Sequence, residues 1–134
     1  MPNHSPVAFR AAGPTLAVLL VKSQGTPVRR VIGLDPATLA FRFDAGEAGT
    51  EPDGDWDRQL ESDGWSLVFV ATPEDDADRC QLRSVDTSTG RTLWSRPIGR
   101  WRAHRFLGGA LVVWADDRVE VLAPPNGQPI AVYQ

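Results

Sequence analysis

Three stretches of this 134-residue chain can be written in one frame, and that self-similarity limits the possible folds more than any other feature. AFRAAGPTLAVLL (8–20), QLESDGWSLVFVA (59–71) and AHRFLGGALVVWA (103–115) each read as a strand, a glycine turn and a strongly apolar strand. The first and third share Ala8/Ala103, Arg10/Arg105, Gly13/Gly108, Leu16/Leu111 and Val18/Val113. The second brings Gly64 and Leu67 into the same register. With turn glycines at 13, 64 and 108, the spacings are 51 and 44 residues.

The segment after each apolar strand repeats as well: a turn, a strand, a second turn and a further strand. The second turns sit in GLDPATLAFRF (33–43), SVDTSTGRTLW (84–94) and LAPPNGQPIAVY (122–133). Each unit is then four antiparallel strands, the size of a propeller blade. Helix is excluded by 12 Gly and 11 Pro spread through the chain, with no long stretch keeping a 3.6-residue period. The expected fold is all-β: three four-stranded antiparallel propeller-type blades in one domain, 1–134, with units of about 7–55, 56–99 and 100–134. The runs 16–22, 66–71 and 110–115 are strongly apolar on both faces, so each is expected to be covered on both sides.

The phase of the repeat predicts an outer-type strand at 7–11 left over at the start, and a last unit lacking its outer strand. Three blades fall short of the 4–8 that close a ring, and open blade faces would expose apolar patches around 16–21 and 111–114. The expected assembly is a homodimer with a six-bladed ring, the spare strand pairing with the other chain's last blade.

The segment 84–94 resembles the tryptophan-docking motif of PQQ-like (quinoprotein dehydrogenase-type) β-propeller repeats, with Asp86, Thr89, Gly90 and Trp94 filling the pattern. The residue types suit the roles. Asp86 and Thr89 bond turn amides, Gly90 takes positive φ, and Trp94 packs on the neighbouring blade. The first repeat keeps Asp35 and Thr38 but has Leu39 for the glycine and Phe43 for the tryptophan; the third keeps only Gly127. The resemblance implies the fold and says little of function, because the fold hosts enzymes, scaffolds and binders alike. Dehydrogenases of the family have many more blades and an adjacent-cysteine disulfide, whereas this chain has one cysteine, so no quinone or other cofactor is expected.

Lys and Arg total 14 against 17 Asp and Glu, a net charge of −3, which argues against a nucleic-acid partner. Cys80 alone excludes an internal disulfide. The longest apolar run, 16–21, is too short for a signal peptide's apolar segment or a membrane span, so a cytoplasmic chain with no membrane partner is expected.

Asp53, Asp55 and Asp57 alternate as carboxylates do in calcium loops, but without the closing glutamate; an acidic, solvated insertion explains them as well. A second acidic run is Glu74, Asp75, Asp76 and Asp78. Both are expected on one side of the ring, giving a negative face that a basic protein partner could meet. His104, among Arg100, Arg102 and Arg105, is expected at the surface of an outer strand, and Cys80 as a buried thiol. Trp94 and Trp114 suit blade packing, while Trp56, Trp65 and Trp101 lie near loops. No catalytic constellation stands out. The leading expectation is a non-enzymatic binding or scaffolding module acting through protein–protein contacts. The alternative is a ligand-binding or enzymatic propeller with its site in the central channel of an assembled ring.

Overall fold

The computed structural model describes residues 4–22, 29–48, 60–71 and 79–134. Twelve strands are present among them. They are β1 (His4–Ala12), β2 (Thr15–Lys22), β3 (Arg29–Leu34), β4 (Phe41–Ala48), β5 (Glu61–Ser62), β6 (Ser66–Ala71), β7 (Cys80–Asp86), β8 (Thr92–Gly99), β9 (Trp101–Leu107), β10 (Ala110–Ala115), β11 (Val119–Leu122) and β12 (Pro129–Tyr133). They form three four-stranded antiparallel sheets, β1–β4, β5–β8 and β9–β12, each a meander of consecutive strands. Among the described residues, no helix is long and apolar enough to cross a membrane.

The strand phase corrects the expectation of a spare strand. β1 pairs with β2 inside its own blade, and β9 completes the last blade. Each blade is therefore self-sufficient in backbone hydrogen bonds. The reason lies in the direction of the meander: β1, β5 and β9 approach one another and are the innermost strands, not the outermost.

Two cores fill the gaps between blades. Between the first and second, Ala17, Leu19, Val31 and Phe43 meet Leu60, Leu67, Phe69 and Val85. Between the second and third, Val68, Val70, Leu82, Trp94 and Ile98 meet Trp101, Leu111, Val113 and Leu122. The middle blade is thus apolar on both faces, and Ser66 to Val70 of β6 are buried at every position. The expectation of two-sided burial for β10 is corrected: Leu111 and Val113 are buried, while Val112 and Trp114 are only half-buried. Among the described residues, no blade lies against that second face.

Polar contacts tie the blades where backbones approach. Thr15 Oγ1 donates to the Thr87 carbonyl, and Thr87 Oγ1 lies 3.2 Å from the Gly64 carbonyl, so the ends of the first two blades interlock. Across the second junction, buried Glu120 accepts from Arg96 and Arg118, and Arg118 also donates to the Ile98 carbonyl at 3.1 Å.

Candidate functional site

Each blade carries the same turn between its third and fourth strands. In the first blade Asp35 N–H donates to the Ala40 carbonyl and Leu39 N–H to the Asp35 carbonyl. Asp86 and Gly90 repeat this in the second blade, Ala123 and Gly127 in the third. Asp86 Oδ1 accepts from the amides of Ser88 and Thr89, and Asp35 Oδ1 from those of Ala37 and Thr38. The amides of Thr38 and Ala37 hold the Asp35 carboxyl below its ordinary pKa. Thr89 Oγ1 accepts from the Arg91 amide.

The turn is the socket for an aromatic side chain of the blade before it. Phe43 lies so close to Gly90 that a Cβ there would collide with the ring. Trp94 lies on Gly127, where a Cβ would fall 2.6 Å from the indole, and its Nε1–H donates to the Pro124 carbonyl at 2.6 Å. Positive φ at Gly90 and Gly127 keeps the socket open, since only glycine takes that conformation freely and leaves no side chain in the way. Asp86, Thr89 and Gly90 therefore build the second blade's turn, while Trp94 belongs to the next junction.

His104 is the largest departure from expectation. It is 1% exposed, because β9 is an inner strand whose His104 side faces the second blade. Trp101 Nε1–H donates to His104 Nδ1 at 3.0 Å, and His104 Nε2 lies 3.0 Å from the Val68 carbonyl. An indole nitrogen only donates, so Nδ1 is the acceptor and Nε2 carries the proton that bonds Val68. Burial draws the imidazole pKa from 6.5 down to about 4, against the opposing pull of the Val68 carbonyl. His104 is thus a neutral, doubly bonded clamp between blades, with no ring nitrogen left for acid–base chemistry. Cys80 is buried. Trp101 is buried with His104, whereas Trp65 stands 84% exposed at the β5–β6 turn.

The inner strands line a cleft of about 950 Å³ bounded by Arg10, Glu61, Arg102, His104, Arg105 and Trp114. Arg10, Glu61 and Arg105 occupy the same repeat position, three residues before Gly13, Gly64 and Gly108. Each blade therefore brings a charged side chain to the axial cleft at this position, and the last blade adds Arg102. Arg10 Nε donates to the Leu60 carbonyl, and Arg102 pairs with Asp116.

Asp53, Asp55 and Asp57, Trp56, and the acidic run 74–78 lie outside the described residues. Among the described residues, no group of three His, Cys, Asp or Glu is placed to hold a metal ion.

No protein-family model matches the chain, and no curated protein matches it. Solved structures do. The chain is similar to a europium-containing methanol dehydrogenase, with a TM-score of 0.60 and 15% identity over 96% of this chain and 26% of that one. It is also similar to the β-propeller domain of the Trilobed protease from Pyrococcus furiosus, described as having an open velcro topology. There the TM-score is 0.67 and identity 14%, over 97% of this chain and 42% of that one. The chain thus spans less than half the length of either neighbour. At these identities the likeness shows the fold alone: the chain has β-propeller architecture, in three blades.

Proposed function

We propose that the chain is a non-enzymatic binding module that acts through protein–protein contacts made by the outward faces of its first and last blades. The observation that carries this is the make-up of those two faces. Strand register aligns Phe9, Val18 and Ile32, and beside them Leu16 and Leu34, on the side of the first blade turned away from the second. Val18, Leu20 and Ile32 form a buried cluster separate from the two inter-blade cores, and the exposed part of that side is its rim, Phe9 and Phe41, with Leu16 and Leu34 half-buried beside it. On the last blade, Val112, Val121 and Ala131 form one row and Trp114, Val119 and Tyr133 the next, again turned away from the second blade. Phe9 is 56% exposed and Tyr133 63%. Contiguous apolar surface of this kind on a folded domain marks a site of association.

The test places a glutamate on each face, Leu34→Glu and Val112→Glu, and compares the solution mass and urea midpoint with the parent chain. The expected result is loss of association with little change in midpoint for Val112→Glu. Unchanged association in both variants would overturn the proposal.

The axial cleft favours a second reading, a ligand site in the channel. Arg105, with Arg10 on the facing strand and Arg102 paired to Asp116, gives it a basic group suited to a carboxylate or phosphate. Titration with citrate and inorganic phosphate tests it: saturable heat that Arg105→Ala removes supports the reading, and no heat at millimolar concentration contradicts it.

A further inference from the structure

We infer that the partner for the outward sides of the first and last blades is a second copy of this chain, and that the junction between copies reverses the packing used inside the chain. Leu39 of one copy fills the place of the docking aromatic, over Ala131 of the other. This inference rests on the proposal that the outward blade faces are contact surfaces.

Register fixes the equivalence. The docking side chain sits opposite a fixed position of the third strand: Phe43 opposite Gly33, Trp94 opposite Ser84. The corresponding pair in the last blade is Ala131 opposite Val121. The last blade therefore offers a methyl group where the other two offer an aromatic ring. At the socket, the corresponding residues are Leu39, Gly90 and Gly127, each donating its N–H to the carbonyl of Asp35, Asp86 or Ala123. Leu39 takes φ of +61°, and it is the only non-glycine among the described residues with positive φ. A leucine there bears a backbone strain that glycine would avoid, and its side chain is 61% exposed.

The two exceptions are complementary. Built onto Gly90 or Gly127, a Cβ points straight into the docked ring of the preceding blade. The Leu39 Cβ leaves an equivalent turn, so it points to where a preceding blade's docking residue would stand. A preceding blade with an aromatic there would collide with Leu39; one with alanine would leave a hole that leucine fills. Only the last blade of this chain has that alanine, and it has no following blade inside the chain. The rest of the face shows the same pattern. Leu60 and His104 occupy one repeat position and are each buried against the blade before them. Phe9 holds that position in the first blade and is exposed. Two copies related by a two-fold axis would make two such junctions and a ring of six blades.

The reversal also sets the assembly's specificity. Ala131 cannot enter an internal junction in place of Phe43 or Trp94 without leaving a void, and Leu39 cannot accept either aromatic. The arrangement thus favours end-to-end pairing of copies over exchange of blades within a chain.

The test is a swap and then a restoration, read by light scattering on a sizing column over a dilution series. The parent chain is expected at twice 14.6 kDa. Ala131→Trp is expected to weaken association about a hundred-fold or more, because both junctions receive an oversized side chain. The double variant Leu39→Gly with Ala131→Trp re-creates the internal packing and is expected to recover the dimer. Circular dichroism and urea midpoints check that each variant is folded. A parent chain that is monomeric at every concentration overturns the inference, whatever other partner the faces have. So does an Ala131→Trp variant as dimeric as the parent, or a double variant no tighter than the single. A dimer that ignores Ala131→Trp but falls apart with Val112→Glu leaves the contact-surface proposal standing and removes this junction.

Discussion

His104 makes the stability of the chain depend on pH in a range where carboxylates change little. In the folded state the imidazole is neutral, buried and doubly bonded, with its pKa drawn down to about 4. In the unfolded chain it returns to the ordinary 6.5. Between these values the unfolded state binds a proton that the folded state does not, so stability is fullest above about pH 6.5 and falls as pH drops toward 4. For the 2.5-unit difference between these two values the limiting loss is about 3 kcal/mol, of which about 2 kcal/mol is felt on going from pH 7.5 to pH 5. That is a sizeable share of the ~5–15 kcal/mol that holds a domain together. Urea unfolding monitored by tryptophan fluorescence, at fixed protein concentration, measures it at the two pH values. His104→Gln keeps a donor and an acceptor in the same place but does not titrate. The parent chain is expected to lose about 2 kcal/mol at pH 5 relative to pH 7.5, and the variant much less. Equal losses in both chains would refute the assignment of the buried, neutral imidazole.

Other substitutions probe the same junctions. Trp94→Ala empties the socket on Gly127 and orphans the bond to the Pro124 carbonyl, and should cost about 3–5 kcal/mol in urea unfolding. Glu120→Ala leaves Arg96 and Arg118 without their shared carboxylate. Both arginines keep some access to water, so about 2–4 kcal/mol is expected, less in high salt. Ser84→Ala removes a buried hydroxyl that has no hydrogen-bond partner among the described residues and should raise the midpoint, by about 1 kcal/mol of stability.

The blade pattern is legible in the sequence because it rests on short-range signals. Glycine turns, apolar strands and the Asp86–Thr89–Gly90 turn each need only neighbouring residues to be recognised. Strand phase is not legible in the same way. Whether β1 and β9 are inner or outer depends on which edges converge, and no local residue pattern encodes that. The burial of His104 has the same origin, since an inner strand turns alternate residues toward the preceding blade. The charged axial position is open to view, because Arg10, Glu61 and Arg105 share one repeat register. It gains its meaning only when the axis is placed along β1, β5 and β9 rather than along the apolar strands β2, β6 and β10. Ala131 carries no signal of its own; it matters only once register places it opposite Val121, as Trp94 stands opposite Ser84.

The central claim is that the outward sides of the first and last blades, with Leu39 on one and Ala131 on the other, meet in a second copy. Light scattering of the unmodified chain across a dilution series tests it most directly. The account predicts a mass of twice 14.6 kDa that gives way to single chains only at low concentration. A single-chain mass throughout, with the urea midpoint independent of protein concentration, would contradict it.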